Sequence, residues 1–81
     1  MRHFIFTEKY GKPNRYGHRV VTVEVYSVKK NVPSYIGCKK ADTGGWVGGY
    51  GTACQVISRE TGMKLKDSYG LVSQNVKITE V

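Results

Sequence analysis

The side chains with the strongest chemical character gather in KYGKPNRYGHR, residues 9–19, where Lys9, Lys12, Arg15 and Arg19 interleave with Tyr10 and Tyr16. Aromatic planes stack on unpaired bases while lysine and arginine neutralise phosphates, so this mixture suits RNA or another single-stranded nucleic acid. With Pro13-Asn14, two glycines and no apolar periodicity, the stretch reads as a loop between strands. Its plainer reading is a solvated hairpin whose tyrosines lie against their own strands. Tyr26 and Tyr35, expected on the outward faces of neighbouring strands, extend a stacking platform, with Lys39 beside them.

Charge favours the same end of the chain. Thirteen Lys and Arg against six Asp and Glu give a net charge of +7 over 81 residues. Residues 1–40 hold nine of the basic groups and two of the acidic ones, whereas residues 41–81 balance four against four. All of the excess therefore sits in the N-terminal half, which points to a polyanion, nucleic acid first, or to an acidic protein surface.

Catalytic chemistry finds less support. A nucleophile needs a base and a group that orients the base. His3 and His18 fall in no catalytic motif, and Cys38 and Cys54 each fall on an expected apolar face, where a thiol is a packing residue. The cysteines and histidines lack the close ligand pairs of a zinc site, so no metal is expected. The expectation is a protein that is not an enzyme and carries no cofactor.

The glycine-rich stretch Thr43–Gly51 invites comparison with a phosphate loop. Gly44 and Gly49 have the P-loop separation, but Tyr50 and Gly51 occupy the Lys and Ser/Thr places, so the match fails at its chemistry. Two readings of this loop stay open. Its glycines permit tight turns with Trp46 folded back on the core, or free backbone N–H groups around Thr52–Cys54 receive one anion. A partner-binding role would use Trp46, Val47 and Tyr50 as an apolar anchor.

These groups need a frame. RHFIFTE (2–8) reads as a first strand with Phe4 and Phe6 on one face, and RVVTVEVYSV (19–28) as a second with Val21, Val23 and Val25 inward. Lys29-Lys30-Asn31 is a turn, and a third strand over 34–40 is expected to turn Ile36 and Cys38 inward and Tyr35, Gly37 and Lys39 outward. T-A-C-Q predicts a helix over 52–61 with Thr52 as N-cap and Gly62 as its stop. Residues 63–66 read as a short strand and Asn75–Glu80 as a better one, with Val76 and Ile78 inward. The expectation is one small α+β domain spanning 1–81, β-β-β-α-β-β, a mostly antiparallel sheet of four to six strands with one helix on one face. A small, partly open barrel is the alternative. The core comprises Phe4, Phe6, Val21, Val23, Val25, Ile36, Cys38, Ala53, Ile57, Leu65, Val76 and Ile78.

The N-terminal apolar run, Phe4–Phe6, is too short for a signal peptide, and no stretch resembles a membrane span, so a cytoplasmic address is expected. Two functions follow. The first is a small basic protein that binds RNA or single-stranded nucleic acid through its N-terminal half. The second is a protein-binding inhibitor or accessory factor of the kind bacterial viruses use against host defences, docking the Trp46 loop on an acidic host protein. Exposed sheet edges also allow a homodimer.

Overall fold

Strict alternation of valine with polar residues makes the second strand half-buried by construction, and the rest of the sheet assembles around that pattern. The computed structural model describes residues 2–42, 49–64 and 76–81. Among them, β1 (Arg2–Tyr10), β2 (Val20–Lys29), β3 (Val32–Asp42) and β4 (Val76–Glu80) form one sheet in the order β3-β2-β1-β4, and α1 (Gly49–Thr61) lies on it. The β1/β2 and β2/β3 pairs are antiparallel, and β4 runs parallel to β1. Among the described residues this is the expected α+β architecture, one helix on a mostly antiparallel sheet, and not the alternative barrel.

Phe4, Phe6, Val21, Val23 and Val25 are buried against Ala53, Val56 and Ile57 of α1, with Ile36, Val76 and Ile78 packed at the margin. Val56, which the expected core did not include, is fully buried. Leu65 lies outside the described residues, as does most of the strand expected over 63–66, whose Met63 and Lys64 are not in a strand. The β2–β3 turn holds Lys30 and Asn31 in left-handed backbone (φ 50° and 63°), the geometry of a two-residue hairpin whose twist matches its strands.

Three expectations change. First, α1 starts at Gly49, and Thr52 is a buried helical residue and not its cap. Gly49, Gly51 and Thr52 are poor helix formers, but all three are buried, so tertiary contact outweighs local propensity. The N–H groups around Thr52–Cys54, read as a possible anion site, therefore lie past the helix start, and the Glu8 side chain packs where a Cβ on Gly49 would stand. The expected C-terminus holds: Gly62 adopts φ 76° and donates its N–H to the Ser58 carbonyl at 2.9 Å.

Second, Cys38 is exposed and not in the core. The pairing runs Val25↔Gly37 and then Tyr26↔Tyr35, so Ile36 is an extra residue on β3 and the strand is bulged there. The bulge resets the alternation. Ile36 still reaches the core, but Gly37 now lies under the helix and Cys38 turns away beside Glu24. A Cβ at Gly37 would meet Val56 Cγ1 at 3.3 Å and Arg59 Nη2 at 3.2 Å, so the missing side chain allows α1 to approach β3.

Third, the same reset sends Lys39 to the helix side, where its ammonium donates to Gln55 Oε1. The thiols give a direct check. One equivalent of an aromatic disulfide reagent is expected to react rapidly with the native protein, at Cys38, and the second only in denaturant, at buried Cys54. No fast equivalent contradicts the bulge, and two contradict the burial of Cys54.

Candidate nucleic-acid interface

Because paired residues in a sheet share a face, the register places each candidate side chain. On the face away from α1, successive cross-strand rows read Lys9–Thr22–Lys40, Thr7–Glu24–Cys38 and Ile5–Tyr26–Tyr35. Lys9 and Lys40 are exposed and separated by two strand spacings, roughly 10 Å between backbones. Together with Tyr10, Gly11, Val20 and Thr22 they line a depression of about 310 Å³ at the hairpin end of the sheet. About four residues along the strands, Tyr26 and Tyr35 meet edge to face with ring centroids 5.8 Å apart. Tyr35 is 55% exposed, so much of its surface is available to a partner.

Tyr26 donates its hydroxyl to Glu24 Oε2 at 3.0 Å. That bond is the main reason its hydroxyl titrates above the usual tyrosine range, with lost hydration and the Glu24 charge adding to it. Tyr35 is raised as well, first by its hydrogen bond with Cys38. Both rings are therefore neutral at physiological pH, and neither adds negative charge that would repel a phosphate.

The hairpin tip between β1 and β2 is a built loop. Asn14 Oδ1 accepts the N–H groups of Tyr16 at 2.9 Å and His18 at 3.0 Å, and the Asn14 N–H reaches the His18 carbonyl at 2.7 Å. An Asx turn of this kind explains why a segment without apolar periodicity is ordered. Arg15 lies over the Tyr16 ring, 5.0 Å from its centroid, and its Nη2 donates to the Tyr16 hydroxyl at 2.9 Å. His18 Nδ1 stands 3.3 Å from Asp42 Oδ1, which ties the loop to the end of β3. Lys12 and Arg19 are exposed in the same loop.

Lys9, Tyr26 and Tyr35 are thus brought onto one face, and Lys12, Arg15, Tyr16 and Arg19 onto the adjoining tip. Lys39 is separated from them, and Tyr10 borders the hairpin-end depression although its strand position is on the helix side. Tyr10 pairs with buried Val21 on the helix side, and its hydroxyl donates to Glu8 Oε2 at 2.6 Å. Lys40 takes the position expected for Lys39, and Thr22 completes the row. Gly37 in mid-strand is the sequence signal that would have found this exchange, since an isolated glycine inside a strand marks a bulge. Of the apolar anchor, Trp46 and Val47 lie outside the described residues. Tyr50 is 43% exposed in the first turn of α1, its ring edge-on to Phe6 at 6.3 Å.

Tyr10 belongs to an acidic corner. Glu80 pairs with Phe6, two residues from Glu8 on the same face, and titrates above the usual carboxylate range. Lost hydration is the first cause, followed by the Glu8 charge and a shared hydrogen bond. A carboxyl that holds its proton more tightly folded than unfolded opposes folding once ionised, and this penalty disappears as pH falls. Glu80→Gln is therefore expected to raise the melting temperature near neutral pH. Its advantage should shrink towards zero below about pH 3.5. Thermal melts across that range check this, and a gain that persists in acid would contradict it.

Among the described residues no group of three His, Cys, Asp or Glu side chains is placed to hold a metal ion, and no helix is long and apolar enough to cross a membrane. No protein-family model, curated protein or solved structure matches the chain.

Proposed function

We propose that this is a small basic, non-enzymatic protein that binds RNA or single-stranded nucleic acid across the helix-free face of its sheet. The observation that carries this reading is that one face holds both the exposed Lys9 and Lys40 of the first row and, beyond the Thr7–Glu24–Cys38 row, the Tyr26/Tyr35 pair. The lysines contact phosphates, Tyr35 stacks on a base, and the hairpin tip with Lys12, Arg15 and Arg19 extends the contact to the backbone. Phosphate contacts of this kind give affinity without strong sequence preference.

Fluorescence anisotropy with a labelled single-stranded RNA tests it. Affinity is expected to fall steeply as salt rises, with a log–log slope of about −0.7 for each phosphate contacted. Tyr35→Ala is expected to weaken binding by about tenfold, the order of one lost base stack, while leaving the salt slope unchanged. Affinity independent of salt, or a Tyr35→Ala variant that binds as the parent does, would overturn the reading.

A further inference from the structure

A second cavity, of about 380 Å³, opens on the helix side of the sheet, at the end opposite the hairpin tip. Its polar lining comes from Arg2 and Lys29 with the hydroxyls of Ser27 and Ser34, and its apolar wall from Val32 and Ile36. The register explains this convergence. Ser27 pairs with Ser34 across β2/β3 and with Phe4 across β1/β2, and Lys29 pairs with Val32 in the next row. Thr61, from the last turn of α1, closes one side, its hydroxyl already donated to the Ile57 carbonyl.

Unspent donors distinguish this cavity from an ordinary surface depression. Among the described residues neither Arg2 nor Lys29 has a carboxylate partner, and Ser27 and Ser34 make no side-chain hydrogen bond. Arg2 is held over the Phe4 ring, 5.3 Å from its centroid, which fixes the guanidinium beside the opening. The described acids are committed elsewhere: Glu8 to Tyr10, Glu24 to Tyr26, Asp42 to His18 and Glu60 to Arg59. Glu80 stands beside Glu8. Among the described residues no acidic side chain lines the cavity.

We propose that this cavity binds a phosphate monoester carrying a compact apolar or aromatic group. Two cations match a dianionic phosphate, and arginine with two serine hydroxyls supplies donors to its oxygens. The volume greatly exceeds that of a bare phosphate and falls in the range of small-ligand sites, and Val32 and Ile36 offer the remaining space to an apolar body. The site lies across the sheet from the Lys9–Lys40 row, so it stands or falls independently of the nucleic-acid reading.

Phenyl phosphate titrated into the full-length, isotope-labelled protein tests it by amide NMR. Saturating shifts are expected at Ser27 and Ser34, with inorganic phosphate weaker. The double variant Arg2→Gln, Lys29→Gln should reduce affinity about tenfold or more, the scale of lost charged hydrogen bonds. Lys77→Gln, on the opposite face, should leave it unchanged, and the spectra themselves report that each variant is folded. Comparing 5′-phosphorylated with 5′-hydroxyl RNA of one sequence identifies the source of the phosphate. A preference for the phosphorylated end that the double variant abolishes identifies an RNA terminus. Saturable phenyl phosphate binding without that preference identifies a free small phosphomonoester. Shifts that do not saturate, or that survive the double variant, overturn the site.

Discussion

Reversing both lysines of the cross-strand row, Lys9→Glu with Lys40→Glu, is expected to cut affinity for single-stranded RNA by about a hundredfold or more at low salt. Each substitution removes one phosphate contact and adds one repulsion, and the two act on the same stretch of backbone because the side chains flank Thr22 on one face. The slope of log affinity against log salt should also become shallower by about 1.4, two contacts' worth. Lys39→Glu provides the contrast. Lys39 neighbours Lys40 in sequence but bonds Gln55 on the helix side, so its reversal should cost far less. Equal losses at Lys39 and Lys40 would show that net charge alone governs binding. That outcome would remove the face-specific interface while leaving a non-specific polyanion binder.

The contrast between those two lysines also shows where the sequence could be read and where it could not. Period-two alternation located β1, β2 and β4 with the correct inward residues, because each is an unbroken pleat whose faces follow from parity alone. The same rule failed on β3 at one residue. Ile36 is inserted into the ladder, and every side chain after it changes face, so Cys38 and Lys39 exchanged places with Gly37 and Lys40. Nothing in the alternation of SYIGCKK announces the slip, and only Gly37 marks where a bulge could sit. The start of α1 was hidden for a different reason. A capping signal at Thr52 is local, whereas Gly49 and Gly51 become helical because they are buried against the sheet. Tyr26 and Tyr35 were legible as a pair because both precede the register change when counted from the β2–β3 turn, and their contact follows from the turn's two-residue length.

Phe4→Ala is expected to cost about 3–5 kcal/mol in stability, the range for emptying a buried aromatic site. Phe4 is fully buried on a central strand, paired with Ser27 on one side and Ile78 on the other, and it forms part of the core facing Ile57 and Val56. A chain of this size has a stability of roughly 4–12 kcal/mol, so a single cavity removes a large fraction of it. The corresponding fall in melting temperature is about 15–30 °C. Urea unfolding checks the cost, with a lower midpoint and an unchanged slope. Cys38→Ala, which alternation alone would also place in the core, should stay within about 0.5 kcal/mol of the parent because its side chain is exposed. Binding separates the two roles further. Ile5, the next residue, faces the other way with Tyr26 and Tyr35, so Phe4→Ala protein kept cold enough to remain folded should retain RNA affinity within about twofold. A large loss of affinity in the folded variant would mean that the stacking face depends on the core beneath it, and that the Tyr26/Tyr35 pair is held by packing across the sheet as well as by its own strands.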